Sequence, residues 1–198
     1  MQVIATDVLD TKEKMVNMAQ KQLKKPGFAI DPYFYRSHVT YQSELEHIIF
    51  KSWLYAGHVS QIPNKGDYFL FDIGEDSIII CRDRKEEIHA MHNMCRHRGA
   101  RVCEEPSGNC RVFACPYHGW GYALDGTLKA ARDMRDVEGF NFEDYGLLHV
   151  RMEIFQGMIF INCDPDAPDF KKPLSKISKQ LGAYDLENAK VAEAKTYK

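Results

Sequence analysis

The chain reads as a mainly β fold with flanking helices (α+β), its strands in antiparallel sheets. Two observations point there. Between residues 68 and 162, short runs rich in aromatic and β-branched residues recur about every ten residues between turn signals, as antiparallel strands do. Helical periodicity is confined to the stretches before residue 53 and after residue 168. No internal repeat or low-complexity tract interrupts this order.

Asp10 and Thr11 can cap a first helix over 11–24, with Met15, Met18, Ala19 and Leu23 at helical spacing and Pro26-Gly27 as the stop. Its lysines, Lys12 to Lys25, read as a solvated face. The capping-box pattern Ser43-Glu44-Leu45-Glu46 predicts a second helix, with Leu45, Ile48, Ile49 and Trp53 on one face and its end near Trp53. Strands are expected at 68–73, 77–81 and 88–94 as a meander, then at 111–114. Residues 121–124 and 127–129 should be joined by a two-residue hairpin at Asp125-Gly126. A last pair, 150–155 and 158–162, turns at Gln156-Gly157. After Pro168 comes an amphipathic helix with Phe170, Leu174, Ile177 and Leu181 as its buried stripe, and Lys190 to Lys198 alternates like a strand.

Of the 198 residues, 44% are hydrophobic and 27% charged, a balance that supports a core and excludes a disordered or fibrous chain. Lys plus Arg number 26 against 28 Asp plus Glu, so no basic footprint for nucleic acid exists. The longest apolar runs, such as Ile78 to Cys81, fall far short of the roughly 20 residues of a membrane-spanning helix. Residues 1–25 carry Asp7, Asp10, Lys12, Glu13 and Lys14 and no apolar stretch of the secretory kind, so a cytoplasmic protein is expected. Six cysteines in such a chain point to thiols or metal ligands rather than a disulfide framework.

The spacing of two of them carries chemistry. Cys95-Arg96-His97 and Cys115-Pro116-Tyr117-His118 are a Cys-x-His and a Cys-x-x-His separated by 17 residues, and glycine follows each histidine closely, at Gly99 and Gly119. Zinc fingers usually keep two cysteines in one pair and two histidines in the other. Here each loop supplies one of each, as a Rieske [2Fe–2S] centre requires when one iron takes two cysteines and the other two histidines. Cys95, His97, Cys115 and His118 are therefore the expected cofactor and metal ligands. A structural zinc site is the weaker alternative.

Residues 53–163 resemble the Rieske domain of ring-hydroxylating-type Rieske non-haem iron oxygenases, through CRHRGA at 95–100 and CPYHGWGYALDGTL at 115–128. WLYAGHVSQIPNKGDYF at 53–69 resembles, within that family, the branch acting on quaternary amines such as glycine betaine and stachydrine. The resemblance implies an N-terminal helical arm at 1–42 and a Rieske domain at 43–165, its loops at one tip of two sheets. It also implies a linker helix at 166–198 leading into a truncated catalytic domain. That domain would carry the mononuclear non-haem Fe(II) for O2-dependent hydroxylation or N-demethylation of a small molecule. No catalytic residue is expected within this chain, and the fragment alone should not turn over substrate. Implied partners are an NAD(P)H-dependent flavoprotein or ferredoxin reductase and two further copies in a homotrimer. His118 would be the electron exit. An aromatic-ring dioxygenase α subunit and a stand-alone Rieske ferredoxin are the alternatives.

Respiratory Rieske proteins brace the two loops with a disulfide, at positions that here hold Ala100 and Tyr117, and place a serine where this chain has Trp120. Losing that hydroxyl donor implies a reduction potential in the lower part of the Rieske range. Trp120, Tyr117 and Tyr122 are expected to pack around the cluster, and Arg98 to shield its charge or form a surface ion pair. Cys103 and Cys110 lack matching histidines and read as packed thiols, and Cys81 and Cys163 as core residues. His38, His47, His58 and His149 read as surface or packing residues, while His89 and His92 lie in the strand leading to Cys95, where a second iron at His92 is not expected.

Overall fold

The computed structural model describes residues 10–193 and 195. Its contacts gather residues up to Ser52 into one unit and those from Trp53 onward into another.

In the first unit, Thr11 caps helix α1 (Lys12–Leu23) by accepting the Lys14 N–H. Asp10 does not share that task. Its carboxylate accepts from the Tyr33 hydroxyl (2.7 Å), the Ser37 hydroxyl (2.8 Å) and the Val39 N–H (3.1 Å), tying the start of α1 to the start of helix α2 (His38–Glu44). The second helix thus begins earlier than the Ser43 capping box suggested, because Ser37 already caps it at Thr40. It continues as a π-helical turn over Leu45–Ile49 and stops short of Trp53. Leu45 is buried, but Ile48 is 57% exposed, so the expected apolar face is only partly used.

Among the described residues, the second unit is built from three antiparallel sheets rather than two. Strand β1 (Leu54–His58) pairs with β10 (Met158–Asn162), which pairs with β9 (Arg151–Phe155). Strands β4 (Ile88–His92), β3 (Asp76–Arg82), β2 (Asp67–Ile73) and β5 (Ser107–Asn109) form the second sheet in that order. Strands β6 (Phe113–Ala114), β7 (Gly121–Tyr122) and β8 (Leu128–Ala130) form the third, too short to merge with its neighbours. Ile78, Ile79, Ile80 and Cys81 of β3 are fully buried, which explains why that run carries no polar alternation.

Several departures from the sequence expectation have physical reasons. Strand β1 escaped notice because Gly57 and a register shift after Tyr55 break its pattern, and its partner lies about a hundred residues on. Strand β5 is the turn-like Ser-Gly-Asn, made a strand only by pairing with β2. The Asp125-Gly126 hairpin is wider than two residues: Ala123 and Thr127 close it, while Leu124 turns into the core and its carbonyl accepts from the Cys81 thiol at 3.1 Å. Helix α3 (Lys171–Leu181) forms, but Ile177 is 43% exposed and Leu174 and Leu181 are half-buried. Only Phe170 of that stripe is buried, against the rings of Trp53 and Phe160. The alternating tail is not a strand over 190–193, and Ala194 and residues 196–198 lie outside the described residues. Among the described residues no helix is long and apolar enough to cross a membrane.

The Asp10 network sets a pH response. Burial raises the carboxyl, but hydrogen bonds from Tyr33, the Val39 amide and Ser37 outweigh it and bring the group to about 2. A folded value below the unfolded one, about 3.9, stabilises at neutral pH and is lost as pH falls toward 2. The Val39 amide should therefore lose hydrogen-exchange protection, beyond the intrinsic pH effect, between about pH 4 and 2. Asp10→Asn should leave it poorly protected at pH 7.

Candidate metal centre

Two loops meet at the ends of different sheets. One follows β4 and the other joins β6 to β7. Both close in the same way. The Cys95 N–H donates to the Ala100 carbonyl (2.8 Å), and the Gly99 N–H donates to the Cys95 carbonyl (2.9 Å). The Cys115 N–H donates to the Trp120 carbonyl (2.8 Å), and the Gly119 N–H to the Cys115 carbonyl (3.0 Å). Each loop thus returns onto its own cysteine, and Gly99 (φ +74°) and Gly119 (φ +71°) take the left-handed conformation that the return requires.

Buried Asn93, at the foot of the first loop, holds its return limb. Its Oδ1 accepts from Val102 and Cys103, and its Nδ2 donates to the Cys103 carbonyl (2.8 Å) and to Ser77 Oγ. Tyr122 of β7, fully buried, joins the two loops. Its hydroxyl oxygen accepts the Arg96 N–H at 3.0 Å and lies 3.2 Å from Cys95 Sγ, a hydrogen bond that Tyr122 donates when Cys95 is a thiolate. Sequence reasoning placed Tyr122 near the site but missed Asn93, whose role shows only in contacts across nine and sixteen residues.

Cys95 and Cys115 are both buried, at 2% and 3% exposure. Burial pushes the Cys115 thiol up, the Cys95 thiol beside it adds to this, and the N–H groups of Tyr117 and His118 partly offset it. The imidazole rings of His97 and His118 lie 4.6 Å apart. In both, Nδ1 is buried and has no hydrogen-bond partner among the described residues. Desolvation, with the charges of His97 and Arg98 nearby, holds His118 below its usual range, in the neutral form that can ligate. Two buried thiols and two unsatisfied imidazole nitrogens form a donor set that fits an iron–sulfur centre.

The same four residues fit a single ion poorly. A tetrahedral zinc draws its donors to within about 3.3–3.8 Å of one another. Among the described residues, the one set of three His, Cys, Asp or Glu donors within 4.8 Å of one another is Asp83, Glu87 and His89. Asp83 is already engaged there, accepting from the Lys85 and Glu87 N–H groups and facing His89 Nε2 at 3.1 Å. His92 belongs to no such set, and the ring of His149 packs 6.1 Å from His89.

Trp120 lies flat on His97 (4.9 Å, 8°), and the Tyr117 ring meets His118 at 3.8 Å. Arg98 is exposed and makes no ion pair among the described residues. Burial raises the thiol of Cys81, pushes Cys103 up to about 12, and raises Cys110 and Cys163, so all four are packed and protonated. Cys163 is half-buried beyond β10 rather than in the core. His58, at 5% exposure, is more than a packing residue: its Nδ1 accepts the Ser60 N–H, so its Nε2 donates to the Leu186 carbonyl at 3.0 Å.

Tyr122→Phe should strand the Arg96 N–H and remove the donor to Cys95, lowering stability by about 1–3 kcal/mol. Calorimetric melting of the two proteins measures this.

The sequence profile of the Rieske [2Fe-2S] domain matches residues 52–141. The chain is 42% identical over 141 residues to the biphenyl 2,3-dioxygenase α subunit of Rhodococcus jostii, covering 71% of this chain and 31% of that protein. It is 34% identical over 166 residues to the glycine betaine monooxygenase oxygenase subunit of Pseudomonas aeruginosa, covering 84% and 38%. Among solved structures, naphthalene 1,2-dioxygenase from Rhodococcus sp. superposes with a TM-score of 0.75 at 31% identity, over 86% of this chain and 40% of that one. The quaternary ammonium Rieske monooxygenase CntA superposes with a TM-score of 0.73 at 31% identity, over 81% and 45%. The chain thus spans about a third to under half of these relatives' length. Profile, relatives and superpositions converge on one conclusion, that this chain carries a Rieske [2Fe-2S] domain over residues 52–141.

Proposed function

We propose that this chain is the electron-transfer portion of an oxygenase component, and that Cys95, His97, Cys115 and His118 hold its [2Fe–2S] cluster. The observation that carries the reading is the pair of buried, unpartnered Nδ1 atoms of His97 and His118, set in the same two loops as two buried thiols. When bound, the cluster supplies one-electron chemistry between an NAD(P)H-linked reductase and a mononuclear non-haem iron that works with O2. The chain's own groups tune and aim that chemistry. Tyr122 donates its O–H toward Cys95 Sγ and favours added negative charge there. Trp120 offers no hydroxyl at its position and, with its ring on His97, keeps water from that side. His118 lies on the more open side, beside a Tyr117 that is 60% exposed, and is the proposed point of electron exit.

The whole protein's reaction is proposed as O2-dependent hydroxylation or N-demethylation of a small organic molecule. The match to glycine betaine monooxygenase over 84% of the chain supports a quaternary amine. The higher identity, 42%, to a biphenyl dioxygenase α subunit favours a second reading, an aromatic ring as substrate. A homotrimer, a ferredoxin or flavoprotein reductase and a cytoplasmic location complete the proposal.

Loading the chain with iron and sulfide should give the absorbance and reduced-state EPR signal of a histidine-ligated [2Fe–2S] centre. Cys95→Ser and His118→Asn should abolish both. A colourless, EPR-silent protein that binds zinc instead would refute the reading. The midpoint potential should fall near about −150 mV rather than toward the +300 mV end of the Rieske range, since no serine hydroxyl assists the cluster.

A further inference from the structure

The two imidazoles are supported unequally. His97 lies flat against Trp120, which is 2% exposed, whereas the Tyr117 ring against His118 is 60% exposed. Trp120 is held in turn by two rings that meet it edge to face, Phe140 at 5.8 Å and Tyr145 at 5.9 Å. Those rings stack on each other at 4.5 Å and 24°. Phe142 closes on Phe140 at 5.3 Å.

These rings belong to neither ligand loop. They come from the segment between β8 and β9, which contains no strand and advances by successive turns: Met134 N–H to Ala131 O, Val137 N–H to Met134 O, Phe140 N–H to Val137 O. A 3-10 turn over Phe142–Tyr145 follows, and the Leu147 N–H then anchors the segment to the Gly126 carbonyl at 2.8 Å. A segment with so little backbone regularity keeps its path by packing its aromatic side chains, and two of them, Phe140 and Tyr145, pack on Trp120.

We propose that Phe140 and Tyr145 are positioning residues that fix the His97 ring through Trp120, making His97 the rigid imidazole of the pair and His118 the yielding one. The proposal rests on the iron–sulfur reading above for its consequence, but the ring contact can be tested without a cluster. Groups outside the ligand set that orient a metal-binding histidine are worth about 10–100-fold in metal retention.

In NMR spectra of the metal-free full chain, the carbon-bound ring protons of His97 should be shifted upfield by the ring current of Trp120. Tyr145→Leu and Phe140→Leu should each collapse that shift while leaving His118 unmoved, and Tyr145→Phe, which keeps the ring, should preserve it. After loading with iron and sulfide, Tyr145→Leu should lose its cluster to a chelator about ten-fold faster than the parent chain. Val137→Ala, on the same segment but exposed, should lose it at the parent rate. A His97 shift that persists in both leucine variants, or equal cluster loss in Tyr145→Leu, overturns the proposal. A parent chain that takes up no [2Fe–2S] cluster refutes the iron–sulfur reading instead, and the metal-free shifts still decide the ring contact.

Discussion

An imidazole nitrogen withdrawn from water and given no hydrogen-bond partner costs a folded chain roughly 1–3 kcal/mol, and here two such atoms stand in neighbouring loops. The surrounding structure works to keep them so. Trp120 covers one ring and Tyr117 the other, and the nearby backbone N–H groups go elsewhere: Gly99 and Gly119 to the cysteine carbonyls, Arg96 to the Tyr122 hydroxyl, Tyr117 and His118 to the Cys115 sulfur. Asn93 and Tyr122 satisfy other buried polar groups around the loops. What stays unsatisfied in the two loops is the pair of imidazole Nδ1 atoms.

The sheets serve this arrangement by bringing the loops together. Strand β4 delivers Cys95 from the four-stranded sheet, and the β6–β7 turn delivers Cys115 from the small one. Tyr122 is the bridge, since it pairs with Phe113 within its own sheet while its hydroxyl reaches the other loop. The two cysteines belong to the same hydrophobic core as Phe113, Leu124 and Leu128. The ligand loops are therefore held by the core rather than appended to it.

Much of this was legible in the residues. The interleaved pairs at 95–97 and 115–118, with glycines at 99 and 119, named the candidate donors before any geometry was known. Ile78 to Cys81 and the Gln156-Gly157 turn marked strands that formed where expected. What escaped notice depends on contacts distant in sequence. Leu54 finds Ile161, Ser107 finds Phe69, and Asp10 accepts the Val39 N–H of a helix that starts twenty-eight residues later, none of which leaves a local pattern. The single-ion alternative also needed coordinates, because donor spread cannot be read from spacing.

The shared closure of the two loops has a consequence for how such a site tolerates change. Each loop measures its own length: four residues lie between the cysteine whose N–H donates and the residue whose carbonyl receives it, whatever their side chains. The histidine sits two residues after the cysteine in one loop and three after it in the other, yet the ring size is the same. Ring size, not histidine position, is thus the quantity the backbone specifies. A protein engineer could move such a loop between scaffolds as a self-contained part, provided its residue count and its closing glycine travel with it.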